Sequence, residues 1–186
     1  MSYLDLARSR YSCREFEDRS VGRSVVDAIV EAGRIAPSAC NNHPTRVMVL
    51  DTPELLEKAT ACQPRFARDG SIFGAPLIFL ICSVTDDAWV RPYDQMNSSA
   101  IDTSIVCDQM MMEAEEQGLV RAGCAILSPR WPVSSSACPR ASIPITCSSA
   151  AILPTISPIP SIASPHHSPP RLPPQVDFRT CLKIYL

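Results

Sequence analysis

Arg10-Tyr11-Ser12-Cys13-Arg14-Glu15-Phe16 places two guanidinium groups and a hydroxyl within five residues. In an extended segment alternate side chains share a side, so Arg10, Ser12 and Arg14 can converge on one dianion such as a phosphate. Arginine supplies forked donors and serine a short hydroxyl bond. The same residues also suit a solvated basic loop. A second cluster, Ala36-Pro37-Ser38-Ala39-Cys40-Asn41-Asn42-His43-Pro44, combines small residues with side-chain amides in a tight turn. Such a turn lets a flat ring approach the backbone while Asn41 bonds the ring edge. It equally reads as a helix stop followed by a pre-strand proline.

The elements that must position these clusters are legible up to about Leu119. Ser2 to Arg8 reads as a short helix, and Val25, Ile29, Val30, Ala32 and Gly33 set one face of a second that Pro37 stops. Arg46 to Leu50 reads as a strand, Pro53 opens a helix at its tolerated first position, and Leu77 to Val84 is a buried strand. A long helix follows from about Ser98 to Gln117, with Gly118 as its C-cap. Ile101, Ile105, Met112 and Leu119 form one stripe on it, and Ala100, Cys107, Met111 and Ala114 another. Most of its circumference is therefore apolar, which places it centrally or at a dimer interface. The class is α+β, but two strands seldom make a stable sheet, so more are needed after Leu119.

The 186 residues amount to about one domain. Residues 1–119 carry 11 basic and 18 acidic groups, whereas 120–186 carry 6 basic groups and a single acid, Asp177. Twelve of the 18 prolines lie between Pro129 and Pro174, among eleven serines after position 120, so regular structure there would repeatedly lose donors. Strands in this part are doubtful, although Ala150 to Leu153 is a short apolar piece. The chain divides into 1–119 and a Pro/Ser-rich aberrant or disordered tail, 120–186. Six glycines leave no GxGxxG and no GxxxxGK[ST], and none of the nine cysteines forms a CxxC pair, which disfavours structural zinc. No secretory signal or bilayer-length apolar run is present, so a soluble, reduced, cytoplasmic protein is expected, with neither membrane nor nucleic acid as partner.

The two clusters at this separation, followed by Gly74-Ala75-Pro76 before Leu77-Ile78-Phe79-Leu80-Ile81, by Asp102, and by Glu116-Gln117-Gly118-Leu119, resemble the FMN-dependent nitroreductase family over about residues 3–119. The resemblance implies a mixed or antiparallel sheet flanked by helices. It also implies that Arg10, Ser12 and Arg14 hold the FMN phosphate and ribityl chain, with the Tyr11 backbone alongside. Pro37, Ser38, Ala39 and Asn41 would touch the isoalloxazine from the other subunit of an obligate homodimer. His43 departs from the family, which usually has Gln there, and reads first as a packed structural residue. The implied activity is transfer from NAD(P)H through FMN to a nitro compound, a quinone or a similar small acceptor. The flavin carries the chemistry, so no side-chain acid or nucleophile is sought.

The resemblance stops where the family continues Gly-Leu with Gly-Thr-Cys-Trp. Gly118-Leu119-Val120-Arg121-Ala122-Gly123 back-translates as GGN CTG GTA CGT GCT GGG, and one G added after CTG restores Gly-Leu-Gly-Thr-Cys-Trp. Residues 120–186 therefore read as a frameshifted C-terminal part, impairing the activity. A rival reading is a non-enzymatic, flavin-free scaffold whose Pro169-Pro170-Arg171-Leu172-Pro173-Pro174 is a polyproline ligand for a partner. His166-His167 lacks further metal ligands nearby and reads as exposed loop.

Overall fold

The computed structural model describes residues 2–14, 16, 19–62, 64–121, 124–125 and 150–156. Helix α1 (Tyr3–Ser9) starts at Ser2, whose hydroxyl accepts the Asp5 N–H at 3.2 Å. Helix α2 (Arg23–Arg34) leads through the turn to strand β1 (Thr45–Leu50), and α3 (Pro53–Cys62) starts on its proline. Strands β2 (Ala67–Arg68) and β3 (Ser71–Ile72) form a hairpin. Its two turn residues, Asp69 and Gly70, have φ of 49° and 79°, the left-handed pair that a two-residue hairpin turn needs. This Asp-Gly signal had no place in the sequence reading. Strand β4 (Ile78–Ser83), α4 (Ser99–Glu116), β5 (Val120–Arg121), β6 (Cys124–Ala125) and β7 (Ala150–Ile156) complete the described chain.

The sheet runs β1-β4-β7-β5, with β6 also paired to β7, and every pairing is antiparallel. Strand β4 explains why a continuous apolar run was required, because alternate residues serve two cores. Ile78, Leu80 and Cys82 pack with Leu50, Ala59 and Ile72 on the α3 side. Leu77, Phe79 and Ile81 pack with Val26 and Ile29 of α2 and with Val106, Met110 and Ala114 of α4 on the other. Helix α2 packs on α4 at Gly33, where an added Cβ would lie 2.8 Å from the Met110 sulfur. Helix α4 ends as expected at Gly118 (φ 73°). The Leu119 N–H returns to the Ala114 carbonyl at 2.8 Å and the Gly118 N–H to Glu115 at 2.9 Å, a Schellman closure that tucks Leu119 into the core.

Two expectations need correction. Strands after Leu119 were doubtful because of the prolines, yet β7 pairs with β4 from Ile78↔Pro154 to Cys82↔Ala150. Proline has no N–H to give a ladder, yet Pro154 stands within β7 opposite Ile78. Strand β5 pairs with Thr155 and Ile156, and β6 with Ala151 and Ile152. On α4, the buried face is Asp102, Thr103, Val106, Cys107, Met110 and Ala114, whereas Ile101 of the other stripe is 49% exposed. The Pro169 to Pro174 segment and His166-His167 lie outside the described residues.

Candidate functional site

The turn between α2 and β1 carries a concentration of strained backbone. Cys40, Asn41 and His43 have φ of 52°, 59° and 47°, all left-handed. Asparagine tolerates this region, but cysteine does so less readily, and a residue before proline such as His43 is normally extended. Such strain persists only when surroundings over-determine it. Here the Ala39 N–H donates to Asp102 Oδ1 at 2.8 Å, and the His43 N–H donates to Ser38 Oγ at 2.9 Å. Arg46 donates to the His43 carbonyl at 2.8 Å and to Asp87 Oδ2 at 3.0 Å, while the Asn42 side-chain amide donates to the Asp87 carbonyl at 3.1 Å. Asp102 is 1% exposed, and its second oxygen accepts from the Ser98 hydroxyl at 2.7 Å. A buried carboxylate satisfied by two donors is a rigid anchor. The turn is thus clamped at its base while Pro37, Asn41 and His43 stay exposed and Ser38 and Ala39 half-buried.

The other cluster begins at the end of α1, where Arg10 is the C-cap with extended backbone (φ −63°, ψ 125°). Tyr11, Ser12 and Arg14 are exposed and Arg10 is half-buried. Arg23, Arg34, Arg46 and Arg91 each reach a carboxylate within 3.0 Å. Among the described residues neither Arg10 nor Arg14 does so, leaving two guanidinium groups available to an anion. The Tyr11 phenol is held above its ordinary value by burial, then by the charges of Cys13 and Glu115. Tyr11 therefore sits by the C-terminal part of α4, whereas the turn is tied to Asp102 near its N-terminus. Thirteen residues of helix separate the two, about 20 Å. The two clusters therefore meet α4 near its opposite ends.

In the N-terminal half of α4, Ala100, Ile101, Ser104, Ile105 and Asp108 line an open, mainly apolar depression. No group of three or more potential metal ligands occurs among the described residues, and none of their helices is long and apolar enough to cross a membrane. The anchoring role of Asp102 and the contact of His43 with Asn41 (Nε2···Oδ1, 2.9 Å) were not legible beforehand. Both depend on a turn conformation to which the sequence gives no local cue beyond its small and amide residues.

A model described as "Nitroreductase family" matches residues 7–65, which includes both clusters. A curated protein of Methanothermobacter thermautotrophicus, provisionally named an NADH dehydrogenase/NAD(P)H nitroreductase, is 27% identical over 124 residues. The match covers 64% of this chain, and the chain spans 58% of that relative's length. A nitroreductase family protein from Clostridium difficile 630 superposes with a TM-score of 0.73 at 27% identity, covering 100% of this chain and 95% of that one. A nitroreductase with bound FMN from Desulfitobacterium hafniense DCB-2 shares the fold (TM-score 0.64, 20% identity), covering 94% of this chain and 95% of that one.

Proposed function

The chain belongs to the nitroreductase family, and from that premise we propose that it is an FMN-dependent oxidoreductase. It passes electrons from NAD(P)H to a nitro compound, a quinone or a similar small acceptor, as a cytoplasmic homodimer with FMN at the subunit interface. The observation that carries this reading is the pair of guanidinium groups at Arg10 and Arg14, which have no carboxylate partner among the described residues. That donor set, with the Ser12 hydroxyl beside it, suits a phosphate dianion.

Arg10, Ser12 and Arg14 hold the phosphate and ribityl chain with the Tyr11 backbone alongside. Pro37, Ser38, Ala39 and Asn41 of the second subunit meet the flavin ring. The wide separation of the clusters along α4 supports a site completed by two copies, and the open apolar face at Ala100, Ile101 and Ile105 is the surface on which they meet. Bound FMN supplies hydride acceptance and two-electron donation. The chain contributes charge at the phosphate, a pre-strained turn at the ring and exclusion of water between the subunits.

The test is the visible absorption spectrum of the purified 186-residue chain, together with its oligomeric state. Flavin bands from a dimer are expected. A colourless, stably folded dimer that takes up no added FMN overturns the proposal in favour of a flavin-free scaffold.

A further inference from the structure

Asn41 and His43 stand two residues apart on the strained turn, both left-handed and both exposed. His43 Nε2 lies 2.9 Å from Asn41 Oδ1. An amide oxygen can only accept, so Nε2 must carry the hydrogen. That hydrogen is present both on the neutral Nε2–H tautomer and on the imidazolium, so protonation of the ring leaves the bond in place. The backbone that carries the ring is itself held, because the His43 N–H donates to Ser38 Oγ and the His43 carbonyl accepts from Arg46.

We propose that His43 is a positioning residue that fixes the orientation of the Asn41 amide. With one lone pair of Oδ1 taken by the imidazole, the amide group that the contact leaves wholly unengaged is Nδ2–H, a donor. The turn then selects a flat heteroaromatic ring that presents an edge acceptor, a carbonyl oxygen or an imine nitrogen, over one that presents an N–H. This deepens the FMN reading and rests on it, since the isoalloxazine edge offers such acceptors. It also gives the imidazole a role other than packing. Glutamine can replace it, because a side-chain amide nitrogen can donate to the same oxygen, whereas leucine cannot.

The tautomer is measurable without ligand. Nitrogen NMR of the full chain, with the His43 signals assigned by their loss in His43→Gln, is expected to show a protonated Nε2 and an unprotonated Nδ1 in the neutral ring. An Nδ1–H tautomer overturns the proposal. FMN titration followed by flavin fluorescence supplies the second readout. His43→Leu is expected to weaken binding about fivefold, and His43→Gln to restore it to within about twofold of wild type. Thermal unfolding of His43→Leu should match wild type, since the ring is exposed. Wild-type affinity in His43→Leu overturns the positioning role while leaving the FMN reading intact. If the wild-type chain takes up no FMN, the flavin reading falls and the ligand half of this inference with it, and the tautomer still decides the His43–Asn41 contact.

Discussion

Asp102 Oδ1 accepts the Ala39 N–H at 2.8 Å, joining positions 63 residues apart and tying the α2–β1 turn to the first turns of α4. The same carboxylate takes the Ser98 hydroxyl, so a single buried side chain joins the turn to the start of α4.

Asp102→Ala leaves two donors without their acceptor and is expected to destabilise the chain by about 1–3 kcal/mol in urea unfolding. Asp102→Asn should lose less, because its Oδ1 still accepts and its amide can donate to the Ser98 hydroxyl. Equal losses in the two variants would show that the negative charge, not the pair of hydrogen bonds, does the anchoring.

Removing a charge-assisted contact at the phosphate is expected to weaken FMN binding in Arg10→Ala by about 10- to 100-fold, corresponding to about 1.5–3 kcal/mol. Arg10→Lys should fall between, since a point charge replaces a fork. Flavin fluorescence titration measures both, and unchanged affinity in Arg10→Ala removes Arg10 from the site.

At the α2–α4 crossing, Gly33→Ala drives a methyl group against the Met110 side chain, with Met110 itself 0% exposed. A net loss of about 1–2 kcal/mol is expected, overpacking exceeding the helix-propensity gain of about 1 kcal/mol. Met110→Ala opens space at the same point, so the double variant should be more stable than the sum of the single losses implies. Strict additivity would place the crossing elsewhere.

The Cys107 thiol is pushed up to about 11, first by burial and then by the nearby Asp108 carboxylate. A raised folded-state value stabilises the protonated thiol. Its contribution is fully present below the unfolded value of 9.0 and is lost as pH rises through about 11. At pH 8, mass-spectrometric mapping of thiol labelling should find exposed Cys40 modified quickly and Cys107 protected. Comparable rates would contradict the packing of α4.

An out-of-frame origin for residues 120–186 predicts that the gene encodes Gly-Thr-Cys-Trp in an adjacent frame directly after Leu119. A DNA sequence with no such reading rejects that origin. Restoring the extra base should raise flavin content if the altered segment impairs the site.

The apolar alternation and punctuation of residues 1–119 were enough to locate α1, α2, α3, α4, β1 and β4, because each buries a periodic face or ends at a proline or glycine with a local role. The Arg10–Arg14 and Pro37–Asn41 clusters were likewise visible as residue types at a spacing. Strand β7 was not, since four apolar residues before a proline carry little signal. Its place comes from the edge of β4, which it pairs from Ile78↔Pro154 to Cys82↔Ala150. Nor did periodicity distinguish the two stripes of α4. Contact with α2 and β4 buries Val106, Cys107, Met110 and Ala114, leaving Ile101 outside. The left-handed turn, its anchor on Asp102 and the His43–Asn41 bond are decided by tertiary structure alone, because a backbone of that kind is unfavourable in isolation and exists where distant donors and acceptors hold it.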